Sequence, residues 1–126
     1  MTHFLLDTNI VIWLAKDEPR VAHIKPMLLS RESKVFISSV SWWEIAIKVR
    51  TGKLSVDLDE LHHHAEIYAF DELPITSKYA KAYLELPALH KDPFDHMLLA
   101  QAVTCPMRLI TSDAILAEYS SLVMVI

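Results

Sequence analysis

The sequence predicts an α/β fold with a mainly parallel sheet, and three observations carry that expectation. Short apolar runs such as Phe4-Leu5-Leu6, Val35-Phe36-Ile37 and Leu109-Ile110 alternate with longer stretches of helical periodicity. The 126 residues are 52% hydrophobic, enough for a sizeable core in one domain spanning residues 1–126. Four carboxylates, Asp7, Glu44, Asp95 and Asp113, fall where strand-like runs give way to helix-like ones. That is the edge of a parallel sheet where ligands bind.

In chain order, residues 3–6 read as a short buried strand. Asp7-Thr8-Asn9 supplies N-cap chemistry for a helix over residues 10–16. A second helical stretch runs from Asp17-Glu18-Pro19 to about residue 30, with Pro26 expected to kink or split it. Residues 35–38 form a β-branched and aromatic strand. Residues 41–51 form a helix closed by Gly52, the only glycine, at C′. Leu58, Leu61, Ala65 and Tyr68 recur at helical spacing within a helix over residues 57–70. A short strand follows near residues 73–75, and Thr76 or Ser77 caps a helix through residue 86. Residues 93–103 are the clearest core helix. Strands at 108–111 and 122–126 close the chain, separated by a short helix from Asp113.

Composition narrows the function classes. The lone Cys105 cannot form an internal disulfide, which fits a reducing cytoplasm, and no neighbouring base marks it as a nucleophile. Asp7 and Asn9 interrupt the first apolar run, so neither a signal peptide nor a membrane span is expected there. The formal charge is −4, the opposite of a protein that grips nucleic acid through a basic surface. Action on nucleic acid would then need metal ions and a few local cations to offset the repulsion.

Each acid has a local explanation. Asp7 and Asp113 suit N-caps. Ser41-Trp42-Trp43-Glu44 matches a capping box with Glu44 at N3. Asp92-Pro93-Phe94-Asp95 reads as N-cap, N1, N2 and N3. Their joint placement on one predicted sheet edge points instead to a divalent-metal site, because clustered carboxylates repel unless a cation joins them. Oxygen ligands suit Mg²⁺ or Mn²⁺, and two ions roughly 4 Å apart would share four acids.

At these residues the chain resembles a PIN-domain ribonuclease, specifically toxins of the VapC type from type II toxin–antitoxin systems. Phe4-Leu5-Leu6-Asp7-Thr8-Asn9 resembles the first family motif. Residues 38–48, with Gly52-Lys53-Leu54, resemble the second. His90-Lys91-Asp92-Pro93-Phe94-Asp95-His96 and the residues to Ala102 resemble the third, and Leu109-Ile110-Thr111-Ser112-Asp113 the last. The resemblance implies an α/β/α sandwich around a mainly parallel sheet. It implies a Mg²⁺- or Mn²⁺-dependent endoribonuclease with Asp7, Glu44, Asp95 and Asp113 as catalytic and metal-binding acids. An RNA substrate, a cognate antitoxin and a homodimer are implied as well. One departure is His96, where many relatives carry arginine; histidine is a weaker, pH-dependent cation.

Two other readings stand beside this one. A metal-dependent phosphatase would also use acids at strand ends, but Asp7-Thr8-Asn9 lacks a second aspartate two residues on. A catalytically silent PIN-like module would bind an antitoxin-like partner or RNA, and the set of four acids weighs against it. Lys48 is expected to pair with Glu44 at i,i+4. His62-His63-His64 point in different directions on a helix and make a poor chelate. Trp42 and Trp43 could stack on bases, but such residues more often pack in a core or at a subunit interface.

Overall fold

Strands rich in Leu, Ile and Val with no polar alternation need cover on both faces, and this fold supplies it. The computed structural model describes residues 1–88 and 92–126. The strands β1 (Thr2–Leu6), β2 (Ser33–Ser38), β3 (Asp71–Leu73), β4 (Arg108–Thr111) and β5 (Val123–Val125) form one parallel sheet, ordered β3-β2-β1-β4-β5. The helices are α1 (Thr8–Ala15), α2 (Lys25–Leu28), α3 (Ser39–Arg50), α4 (Leu58–Ile67), α5 (Ser77–Glu85) and α6 (Pro93–Thr104). His90 and Lys91, which open the third motif, lie outside the described residues.

Successive strand residues face opposite layers. Phe4, Leu6, Val35, Ile37 and Ile110 pack with Ile10, Val11 and Leu14 of α1 and Leu28 of α2. Leu5 and Leu109 face the other way, onto Leu98, Leu99 and Ala102 of α6. The result is the expected α/β/α sandwich. Leu5, Leu6, Leu98, Leu99, Leu109 and Ile110 are fully buried, and each contributes about 1.5–3 kcal/mol through burial. Val11, Leu14 and Ile24 are likewise satisfied within this core.

Local signals explain most boundaries. Gly52 lies two residues beyond α3 with φ +76°, the left-handed conformation suited to C′. Asp92 caps α6 by accepting from the backbone N–H groups of Phe94 and Asp95. The 17–30 stretch is split as expected, into a 3-10 turn at Pro19–Val21 and the short α2, with the break just before Pro26. Pro26 sits in the first turn of α2, where its missing N–H is not needed. Other boundaries differ from expectation. β3 covers Asp71–Leu73, ending before Pro74, which has no N–H for the ladder. The segment after Asp113 is a 3-10 turn at Ala114–Glu118. α3 begins at Ser39, with Ser38 Oγ accepting from Val40 N.

The strand order fixes where a site can form. The chain steps outward from β1 through β2 to β3, then returns to place β4 on the other side of β1. Strand order therefore reverses between β1 and β4, and the crevice beyond their carboxyl ends is the expected ligand position.

Candidate active site

Asp7 is the first residue after β1, and Asp113 follows β4 by two residues. Register pairs Leu6 with Ile110, so the next residues along, Asp7 and Thr111, come side by side across the switch point. Thr111 Oγ1 donates to Asp7 Oδ2 at 2.6 Å, and Thr8 N donates to Asp7 Oδ1 at 2.7 Å. The N-cap role expected for Asp7 is real but uses one oxygen. The other is held by a residue 104 positions away.

Asp7 is only 6% exposed. Burial pushes its carboxyl above the ordinary value. The two hydrogen bonds oppose that rise, while the charges of Glu44 and Asp92 add to it. The carboxylate is thus held in place yet electrostatically unsatisfied.

Glu44 corrects the capping-box expectation. Because Ser38, not Ser41, caps α3, Glu44 is the sixth helical residue and cannot reach back to the helix start. It lies buried instead, and Thr8 Oγ1 donates to its Oε1 at 2.6 Å. Ser41 Oγ sits 3.0 Å from the same threonine oxygen. The Lys48 ammonium approaches Glu44 Oε2 at 2.9 Å, the expected i,i+4 pair. That hydrogen bond holds the Lys48 pKa above its ordinary value; desolvation opposes it, and the charges of Glu44, Asp92 and Asp95 reinforce it. Asp92, expected to cap its helix with a lesser expectation of a supporting part at the site, contributes its charge to this cluster as well.

Asp95 lies in the first turn of α6, which follows α5 without an intervening strand. Its place at the site depends on helix docking, not on a strand end. Asp113 caps the 3-10 turn through Ile115 N, while its own N–H donates to Thr111 Oγ1 at 3.0 Å. Thr111 thus links Asp113 to Asp7. His96 is buried, with its Nε2 2.9 Å from Tyr119 Oη and its ring edge-on to Tyr83 and Tyr119. It ties the start of α6 to the turn after Asp113.

Other candidates resolve differently. His62 pairs with Glu66 at 3.0 Å and packs on Trp42, whereas His64 packs on Tyr68, so these two histidines have separate partners. Trp42 is half-buried against the core, but Trp43 is exposed. Cys105 Sγ and Tyr79 Oη share a hydrogen bond at 3.3 Å, which with burial pushes the tyrosine pKa up to about 12.

Among the described residues, no group of three or more His, Cys, Asp or Glu side chains is placed to hold a metal ion. The donor chemistry nonetheless fits a hard cation that keeps several waters and takes few carboxylates. Asp7 and Glu44 offer buried oxygens with hydroxyl partners, and Asp7 is held where a nearby positive charge would relieve it.

Residues 4–122 match the PIN domain profile. The chain is 23% identical over 120 residues to ribonuclease VapC22 of Mycobacterium tuberculosis (strain ATCC 25618 / H37Rv), covering 90% of this chain and 88% of that protein. Its fold is similar to a chain of VapBC2 from Rickettsia felis bound to a promoter DNA fragment, with a TM-score of 0.74, 18% identity, and coverage of 97% and 96%. It is also similar to a chain of a toxin–antitoxin complex from Klebsiella pneumoniae, with a TM-score of 0.63, 22% identity, and coverage of 95% and 94%.

Proposed function

This chain belongs to the PIN-domain family, and we propose that it is a divalent-metal-dependent endoribonuclease, the toxin of a toxin–antitoxin pair. The observation that carries this reading is the buried Asp7–Glu44 pair at the switch point, oriented by hydroxyls, with the Asp7 carboxyl pushed above its ordinary value by burial. Similarity to a named ribonuclease supports an RNA phosphodiester as substrate. Fold similarity to chains of VapBC and toxin–antitoxin complexes supports an antitoxin partner. A homodimer working in the cytoplasm completes the proposal. Among the described residues no helix is long and apolar enough to cross a membrane.

Asp7, Glu44, Asp95 and Asp113 would hold Mg²⁺ or Mn²⁺. The bound ion supplies positive charge to the phosphate and makes water more acidic. The chain's own residues prepare the ground. Thr8 and Thr111 hold the carboxylates of Asp7 and Glu44 in fixed orientations, each accepting oxygen keeping a second lone pair for the ion. Burial of Asp7 and Glu44 keeps bulk water from screening their interactions. Lys48 neutralises part of Glu44's charge and, being half-exposed, offers a donor to an arriving phosphate. These local cations offset the unfavourable net charge of −4.

Purified protein should cleave RNA with Mg²⁺ or Mn²⁺ and stop when the ion is chelated. Asp7→Asn and Asp95→Asn should abolish that cleavage while circular dichroism remains native. Full cleavage by either folded variant would overturn the assigned site.

A further inference from the structure

Trp43 stands apart from the rest of α3. Its indole is 61% exposed, although its neighbour Trp42 packs into the core. The exposed ring leans edge-on against Phe94, with centroids 5.6 Å apart and planes at 66°. Phe94 is itself seated against the buried cluster that contains Leu98. In sequence, Trp43 immediately precedes Glu44 and Phe94 immediately precedes Asp95. The aromatic pair therefore bridges the two helices that carry these acids, and leaves indole surface open to solvent.

A second feature lies on the same helix face. Seven residues are almost two helical turns, so Arg50 points in nearly the same direction as Trp43, about 10 Å further along the axis. Arg50 is exposed. An exposed aromatic followed by an exposed cation is the chemistry of single-stranded nucleic-acid binding. A base stacks on the ring, and the cation tracks the backbone. Duplex RNA keeps its base faces stacked internally and cannot use such a ring.

We propose that Trp43, buttressed by Phe94, is a stacking platform for one unpaired base beside the scissile phosphate, and that Arg50 contacts a phosphate further along the strand. This inference rests on the nuclease reading, and its test separates the two.

The parent for binding is the Asp7→Asn protein, which is expected to bind RNA without cutting it. The probes are a fluorescein-labelled oligouridylate of roughly ten nucleotides and an RNA duplex of similar length, followed by anisotropy. Trp43→Ala should weaken single-strand binding about 5- to 100-fold and leave duplex binding unchanged. Trp43→Phe should restore most of the affinity, because it keeps an aromatic face. Arg50→Ala should weaken single-strand binding and flatten its salt dependence by about one unit of slope. Unchanged single-strand affinity in a folded Trp43→Ala protein would overturn the platform. So would equal weakening toward duplex, or sedimentation showing that Trp43→Ala only splits a dimer without altering affinity per subunit. RNA cleavage by wild type with Trp43-independent binding removes the platform alone. Trp43-dependent binding without cleavage by wild type removes the nuclease and keeps the platform.

Discussion

Asp7 and Asp17 flank the same helix, and the folded chain treats them in opposite ways. Asp17 sits just past the end of α1 with φ +54°, a left-handed conformation that aspartate tolerates. Its carboxylate is exposed and accepts from Lys25 at 2.6 Å, which lowers its pKa below the ordinary value. Asp7 begins the helix, buried, and its pKa is raised mainly by burial. One acid is stabilised by its surroundings in its charged form; the other has its charged form disfavoured by its surroundings. An unfavourable group retained in a crevice at a topological switch point is the mark of a functional site.

The comparison breaks most visibly at Asp7. Asp7→Asn should reduce RNA cleavage by more than the roughly 10–100-fold typical of outer partners of a metal site. The metal-free variant should also melt at a temperature equal to or above wild type, because the buried charge is gone. A large drop in melting temperature would mean that the carboxylate is structural.

Thr111→Val tests the support of that carboxylate. It removes the donor to Asp7 Oδ2 while nearly preserving volume. Cleavage should fall about 10–100-fold, mainly in kcat, and a wild-type rate would show that the hydroxyl does not orient Asp7.

pH sharpens the contrast between the two acids. Asp7 binds its proton more tightly folded than unfolded, so its contribution to stability is fully present below 3.8 and is lost as pH rises through the raised folded value. Asp17 runs the other way: its contribution is present above 3.8 and is lost as pH falls through the lowered folded value. In metal-free protein, the melting temperature of wild type relative to Asp7→Asn should therefore climb as pH is lowered from neutral. Saturating Mg²⁺ or Mn²⁺ at neutral pH should raise the wild-type melting temperature and not that of Asp7→Asn. A pH-independent difference would place the raised proton affinity elsewhere.

The smallest effect is expected at Asp17→Asn. An exposed ion pair contributes little, so cleavage rate and melting temperature should both match wild type within error. A measurable loss of activity would mean that the end of α1 communicates with the site.

How legible this was depended on range. Asp92 as a cap, Gly52 at C′ and Arg108–Thr111 as a strand follow from local chemistry and are found as expected. Glu44 was misread because two serines competed to start α3. Ser41 offered a better-looking box, but Ser38 ends β2 and is the one placed to cap. Nothing local distinguishes them. Thr111 was legible as either a cap or a hydrogen-bond partner of the acids, and it is the latter; which acid it reaches, Asp7 at the other end of the chain, was not legible.

By itself, the sequence determined the alternation of strands and helices, the two-faced burial of the strands, and the presence of four acids near element boundaries. Those properties come from periodicity and backbone chemistry within a few residues. Only the tertiary structure decided that β4 lies beside β1 in the register that joins Asp7 to Thr111. Helix packing likewise brought Thr8 to Glu44, 36 residues away, and left Trp43 exposed against Phe94. Such contacts depend on strand order and helix docking, which arise from packing the whole core and leave no periodic trace in the chain.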